Sequence, residues 1–578
     1  MERFTGSTFL LALVTVALTG CGANYSKTVA SSVTTSGSGS GSGTTAAALA
    51  APTFSIAGGS FTSAQDVSLS SSVSGAVIYY TIDGTTPTTA SPVYTATVHV
   101  AQTMTIEAMA AGVTGYTQSL VATQTYTISS ATPVIATTVV NQSLPSVTIP
   151  TSFLGYSHSW DAVAHILGDS TTTTNYIYRQ LTSNLSTLMG GPLVVRVGGE
   201  PTAQATQETV RPMTELVAAS GVKLLLSVNL EASDLALAQQ QAETYMAYVP
   251  SASLTGIEIG NEPDNYVTAG YRPTGYAYTD FFPQYQQWVN GLSAVTNATA
   301  PIAGPVFSSI QWIPNATTDV TNATMQAAIV TQHHYIGCYY ADAPLATNIL
   351  LQPSSSSGVL PYFQPFVTAA HAKGAPFRVA ELNSICIGGQ PGVSNSFSSA
   401  LWGIDMMFGF ASIGVDGVNW HTDSDGGVYD LYHFFTFKNQ YYLENVNPLF
   451  YGLQFFAGAA GNGAQLMQAT TSTSSNIKVW VTKNSNTGHA HLMIINKEIS
   501  TAGNVQVTMP GYTTGVLTTL NGANYLATSG ITIGGQTYDG STDGTLQGTP
   551  VSQTITPVNG VWTVPVQAMS AVSVDLQN

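Results

Sequence analysis

Glu262 and Glu381 each stand where a short apolar run stops. Ile257 and Ile259 lead into Asn261, Glu262 and Pro263, and Phe377, Val379 and Ala380 lead into Glu381, Leu382 and Asn383. A carboxylate at the carboxyl end of a buried parallel strand is what a (β/α)8 barrel offers to a substrate. Two such carboxylates across one barrel mouth are the minimum apparatus for breaking a glycosidic bond, one protonating the leaving oxygen and one attacking the anomeric carbon. Isolated strand-end glutamates are often solvated or ion-paired loop residues. This chain has only 13 Lys and Arg in 578 residues, so ion-pair partners for them are scarce. Glu200 and Glu231, near the ends of two earlier apolar runs, are rival carboxylates without comparable flanking motifs. Arg196 is placed to keep a nucleophile ionised, while partial desolvation and the charge of the other carboxylate favour a protonated acid. His333 and His334 are neighbours on a strand and must point to opposite faces, so at most one reaches the mouth and a metal site is not expected.

The elements needed to hold such a pair can be read from the apolar pattern. Eight short runs recur: Phe153–Ser157, Leu193–Val197, Lys223–Val228, Gly256–Asn261, Pro301–Val306, Ala327–Gln332, Phe377–Glu381 and Gly417–Trp420. Their spacing leaves room for a crossover helix each time, and Ser233 is positioned to cap a helix over Asp234–Tyr248. Alternation of this kind over about 150–460 predicts a (β/α)8 barrel, with Glu262 after strand four and Glu381 ending strand seven. No glycine-rich phosphate loop follows any strand, and no cofactor is expected. Cys338 and Cys386 fall on the loops after strands six and seven, where a disulfide would brace the mouth.

Outside that region the pattern is β. Residues 465–578 alternate in Asn476–Val481, His491–Ile495, Val505–Met509 and Ser570–Asp575, predicting a β-sandwich that 133–149, preceding the first barrel strand, completes from the other end of the chain. Residues 51–129 predict a small β-sandwich module, with strands at Ala76–Ile82 and Thr103–Met109 and a hairpin signal at Asp83 and Gly84. Ser36–Gly43 alternates Ser and Gly, and 21–50 reads as a flexible tether. Phe9–Leu18 is too short to span a bilayer and reads as the core of a signal peptide over 1–20. Leu18, Thr19, Gly20 and Cys21 resemble a bacterial lipobox, with Cys21 as the acylated residue; the alternative is a signal peptide followed by a chance cysteine. An exported chain results, a cell-envelope lipoprotein at the outer membrane or cell surface, or a secreted protein, touching membrane only through that anchor. A net charge of −16 without a basic cluster excludes nucleic acid and disfavours a dense polyanion as partner.

Two resemblances sharpen these expectations. Tyr79–Thr88 with Ala110–Tyr116 resembles the small module at the C-terminal end of chitobiases and beta-hexosaminidases, implying a spacer or a carbohydrate-binding unit. Asn261, Glu262 and Pro263 after strand four, with Glu381 ending strand seven, resemble the clan-A glycoside hydrolases. Val195–Gly199, Gln332–Tyr335, Ala380–Ser384 with Gly388 and Gly389, Val418–His421 and Asn447–Gly452 narrow this to a resemblance to family 79, the beta-glucuronidase and heparanase-like group, over about 140–578. The resemblance implies Glu262 as acid/base, Glu381 as nucleophile, Asn261 on the sugar 2-hydroxyl, and Tyr335 on the nucleophile or sugar. Trp420 is either an apolar floor for the sugar or a packing residue. The acid that the family carries after strand one is replaced by Ser157, His158, Ser159 and Trp160, so that contact shifts to His158 or the sugar differs. Gly388, Gly389 and Tyr429 are candidates for a uronate carboxylate. The leading expectation is a monomeric, retaining exo-beta-glucuronidase acting on a glucuronic-acid-containing glycan. A clan-A glycosidase for a neutral sugar and a non-catalytic, surface carbohydrate-binding lipoprotein are the alternatives.

Overall fold

The computed structural model describes residues 46–61, 63–128, 136–144, 146–168, 174–297, 299, 301–423 and 426–578. The signal peptide expected over 1–20, Cys21 and residues 21–45 of the tether lie outside the described residues, as do 133–135. No helix among the described residues is long and apolar enough to cross a membrane. The chain divides into two compact units, 1–129 and 130–578.

In the first unit a four-stranded sheet runs Gly59–Phe61, Ala122–Ile128, Met104–Ala111, Val77–Thr81. Its core is Val67, Val98, Val100, Ile106 and Tyr126. The turn at Asp83 is held by its carboxylate accepting from the Thr85 amide at 3.0 Å. The chain returns wider than a two-residue hairpin would, pairing Tyr80 N–H with the Pro92 carbonyl and Tyr94 N–H with that of Ile78.

The second unit is built on a closed barrel of eight parallel strands. They are β1 (Leu154–Ser159), β2 (Val194–Gly198), β3 (Lys223–Val228), β4 (Leu254–Ile259), β5 (Ile302–Phe307), β6 (Ile329–His334), β7 (Phe377–Leu382) and β8 (Gly417–His421). The runs read from sequence coincide with these to within two residues at every end. Helices fill every crossover; Leu235–Tyr248 is capped by Asp234, whose carboxylate accepts from the Ala236 and Leu237 amides, and not by Ser233. Inside the barrel Val194, Leu225, Ala303, Ile329 and Ala380 form an apolar layer. Polar inward residues sit above it: Ser157, Arg196, Ser227, Glu258 and His333, all buried.

Two sheets make the adjoining sandwich. One orders Gln468–Ser472, Ala136–Asn141, Gly503–Thr508 and Val561–Val566; the other is centred on Ile477–Lys483, Ala490–Asn496, Ser570–Gln577 and Thr514–Asn521. Alternate residues from both, including Val479, Leu492, Val505, Trp562 and Val574, form its core. Asp405, on the helix Phe397–Ser412 between β7 and β8, ties barrel to sandwich. Its carboxylate lies 2.6 Å from the Lys497 ammonium and accepts from Trp480 Nε1 at 3.0 Å.

Candidate active site

Glu262 lies three residues past the end of β4. Its backbone is left-handed (φ 51°, ψ 54°), a conformation that costs a non-glycine residue about 1–3 kcal/mol. Neighbouring loops enforce it. The Glu262 amide donates to the Val306 carbonyl at 3.0 Å, and Asp264 accepts from the amides of Ser308 and Ser309 after β5. The result aims the carboxylate over the mouth. His333 Nδ1 lies 2.8 Å from its Oε1, and Asn265 Nδ2 donates to Oε2 at 3.0 Å.

Glu381 reaches the same place by a different device. Alternation along β7 sends Arg378 and Ala380 inward and would send Glu381 into the helix layer. The pairing of β6 with β7 slips by one residue between Gln332 and His333, and that of β7 with β8 slips between Val379 and Leu382. These bulges re-aim Glu381 into the mouth, a common use of bulges beside functional sites. Arg196 Nη1 donates to Glu381 Oε2 at 2.7 Å and the Tyr335 hydroxyl to Oε1 at 2.7 Å. Nδ1 of His333 and of His421 stand 3.9 and 3.8 Å away. Burial works against a charge on Glu381, but His421, His333, Arg196 and the Tyr335 hydroxyl outweigh it and hold the carboxyl well below its usual range. Burial likewise opposes protonation of His421, and Glu381 and Asp423 reverse that, raising it.

Arg196 organises the floor. Its Nε donates to Glu258 Oε2 at 2.6 Å, Nη1 also to Ser157 Oγ at 3.0 Å, and Nη2 to Asn261 Oδ1 at 2.8 Å. Gly198 is required here, because a Cβ would lie 2.1 Å from the Arg196 guanidinium carbon. By taking Oδ1 of Asn261, Arg196 turns that side chain's amide nitrogen away from itself, as a donor. Glu258 and Glu381 together more than restore the guanidinium charge that burial disfavours.

One oxygen of Glu262, one of Glu381 and His333 Nδ1 all lie within 4.8 Å of one another. This trio has the composition of a metal site. Arg196 and Tyr335 already occupy both oxygens of Glu381, however, and the guanidinium would repel a cation there, so the geometry is that of an acid–base cluster. The cavity over it measures about 750 Å³ and is lined by Asn261, Glu262, Tyr335, Glu381, His421 and Tyr429, among others. Among its lining residues there is no Lys or Arg. Cys338 and Cys386 form a disulfide on its rim, with Cα atoms 4.5 Å apart.

Several expected contacts fall elsewhere. His158 points outward from β1 and is fully buried, one ring nitrogen meeting the Thr422 carbonyl and the other lying 3.0 Å from the Tyr178 hydroxyl. Burial pushes its pKa down to about 4, and it cannot touch a sugar in the mouth. Trp420 points outward from β8 into the helices, its ring 5.6 Å from that of Trp402, so it packs and forms no floor. Its neighbour His421, one residue beyond the expected strand end, takes the mouth position. Gly388 and Gly389 are not among the residues lining the cavity; the Gly388 carbonyl accepts from the Val428 and Tyr429 amides. Glu200 lines the cavity but is tied to the amides of Leu230, Glu231 and Asn261 and to the Tyr266 hydroxyl. Burial raises its pKa to about 7 against those bonds. Asp423 had no sequence signal; it accepts from the amide and hydroxyl of Ser159 at 2.8 and 2.6 Å, bringing an acid to the end of β1 from β8.

Residues 56–127 match the chitobiase/beta-hexosaminidase C-terminal domain family. Over 305 residues, 43% of this chain and 54% of the relative, the chain is 23% identical to a beta-glucuronidase of Aspergillus niger. Over 184 residues, 28% of this chain and 32% of the relative, it is 27% identical to a beta-glucuronidase of Neurospora crassa. The chain thus spans about half the length of the first of these relatives and about a third of the second. Among solved structures, 76% of the chain superposes on 99% of a 4-O-alpha-L-rhamnosyl-beta-D-glucuronidase from Fusarium oxysporum, with a TM-score of 0.62 and 18% identity. A second likeness is to an arabinofuranosidase from Xanthomonas axonopodis pv. citri, with a TM-score of 0.57, 13% identity, and coverage of 77% of this chain and all of that one. Both structural likenesses bear on the fold: a barrel with a β-sandwich.

Proposed function

We propose that this chain is a retaining glycoside hydrolase of the family 79 type that removes terminal β-D-glucuronic acid. The observation that carries the reading is the approach of the two carboxylates to within 4.8 Å. Retaining enzymes hold the pair about 5–5.5 Å apart, whereas inverting ones leave roughly 6.5–9.5 Å for a water. The surroundings differentiate the pair in the required sense. Glu381, held ionised by Arg196, Tyr335 and the two histidines, attacks the anomeric carbon and forms a glycosyl ester. Glu262, hydrogen-bonded to His333, gives its proton to the departing oxygen. It then takes one from the water that attacks the same carbon, which breaks the ester and returns Glu381 as carboxylate. When the ester forms, Glu381 loses its charge, and Arg196 keeps a counter-charge in Glu258 2.6 Å away. The Asn261 amide nitrogen is directed to donate to the sugar 2-hydroxyl, a bond that strengthens in the transition state.

Glucuronate as substrate is supported by the two beta-glucuronidase relatives, and Tyr429, whose hydroxyl burial and nearby carboxylates keep protonated, is the candidate donor to its carboxylate. The absence of Lys and Arg from the cavity lining favours a second reading, a neutral sugar. A panel of aryl β-glycosides, glucuronide included, separates the two when assayed on the parent, Glu381→Ala and Glu262→Gln. Glucuronide turnover falling about 10³-fold or more in Glu381→Ala, more than ~4 kcal/mol of barrier, supports the roles. Undiminished activity in that variant sinks them. The anomer released first, read by NMR, tests retention directly.

A further inference from the structure

The cavity is larger than one sugar ring needs. About 750 Å³ lies in the range that encloses a drug-sized ligand, and only its inner end is formed by Asn261, Glu381, Tyr335 and His421. The rest of its lining comes from the loop after β4 that also carries Glu262, the proton donor to a departing group (Asn265, Thr268, Ala269, Tyr271), and from the loops after β6 and β7 (Tyr340, Ile387).

Three of these residues expose apolar surface at the rim. Tyr271, Tyr340 and Ile387 are 47, 57 and 63% exposed. Ile387 is the most unusual of them. It is β-branched yet has a φ of 59°, a genuine outlier for such a side chain. Two features pin it there. Its predecessor Cys386 is fixed by the disulfide to Cys338 and by donating to the Gly337 carbonyl at 2.8 Å, and its successor Gly388 is held through its carbonyl by the Val428 and Tyr429 amides. Glycine or asparagine would fill this backbone position with less strain, so folding alone gives no reason for an isoleucine displayed to solvent. No Lys or Arg lines the cavity to hold an anionic leaving group.

We propose that Ile387, with Tyr340 and Tyr271, forms a leaving-group subsite for a flat, uncharged ring. This rests on the glycosidase reading above and specifies what the enzyme expels. Aryl groups and the apolar face of a neutral sugar share that chemistry.

Ile387→Gly removes the side chain while relaxing the backbone, so the variant is expected to fold with an unchanged or higher Tm. The test compares it with the parent on substrates sharing one glycone, with leaving groups methyl, aryl, sulfated aryl and neutral sugar. The expected result is a fall in kcat/KM of about tenfold for the aryl or neutral-sugar substrate, little change for the methyl glycoside, and poor use of the sulfated aryl compound by both proteins. Whichever of aryl or sugar shows the loss identifies the source of the ring. An equal effect on all leaving groups, or none on any, overturns the subsite while leaving the glycosidase reading intact. A parent that turns over none of them overturns both.

Discussion

Replacing Tyr335 by Phe removes one hydroxyl and tests how the nucleophile is kept ionised. That hydroxyl donates to Glu381 Oε1 at 2.7 Å, and burial, with Glu381 beside it, raises the phenol pKa far enough that it stays a donor throughout the working range. The other oxygen keeps Arg196 at 2.7 Å. A hydrogen bond to a charged group contributes about 1.5–3 kcal/mol. At 1.36 kcal/mol per pKa unit its loss raises the Glu381 pKa by about 1–2 units. The acidic limb of kcat/KM reports that group in the free enzyme. In the parent the limb should lie below the ordinary carboxylate range, and in Tyr335→Phe it should move up by about 1–2 units with the alkaline limb unmoved. Stability follows the same sign. A depressed folded pKa contributes stability that is present above the unfolded value and lost as pH falls, so the variant should lose stability at neutral pH and converge on the parent in acid. The assay is a pH–rate profile on an aryl glycoside. An acid limb that stays put, or moves down, refutes the account of Glu381.

Two further outcomes concern stability. His158 and His334 are buried and neutral, each with a pKa pushed down to about 4, so unfolding takes up protons below the ordinary histidine value. Stability should therefore fall as pH drops from about 6.5 to 4, by up to about 3 kcal/mol per histidine. Glu200, raised to about 7, acts oppositely, with stability lost as pH rises from about 4.5 to 7. Urea midpoints across that range should be flattened on the acid side by His334→Leu and on the neutral side by Glu200→Gln; unchanged slopes would contradict the burial argument. Lys497→Met strands the Asp405 carboxylate between barrel and sandwich and should cost about 3–5 kcal/mol in chemical denaturation at neutral pH. A cost below about 1 kcal/mol would show the pair to be dispensable.

Much of this architecture is legible in the chain itself. Short β-branched runs separated by helix-length intervals sufficed for the barrel, because parallel strands buried on both faces have little freedom in composition. The glutamates were legible for the same reason, since polar residues stand out at the ends of such runs. What escaped was facing. Parity applied to His333 and His334 separated them correctly: one meets Glu262 and the other packs against Phe363 and Phe410. The same rule along β1 and β8 turns His158 and Trp420 outward and gives His421 the mouth. Parity would also have turned Glu381 away, because the bulges that rescue it leave no mark in residue type. Asp423 was invisible for a further reason: its partner Ser159 is 264 residues distant in sequence, and proximity across the β1–β8 seam exists only once the barrel closes.

The sandwich strand Ala136–Asn141 has a temporal consequence. It lies between Gln468–Ser472 and Gly503–Thr508, with Ala136 registered against Val505 about 370 residues later. At 5–20 residues per second a ribosome needs roughly 20–75 s to deliver that partner. Until then the edge that meets Gly503–Thr508 has no partner, and the edge that meets Gln468–Ser472 waits nearly as long. The barrel can close first, so the catalytic half would be born before its own buttress. The chain then carries an unpaired β-edge for most of its synthesis, open to pairing with another chain until the sandwich closes.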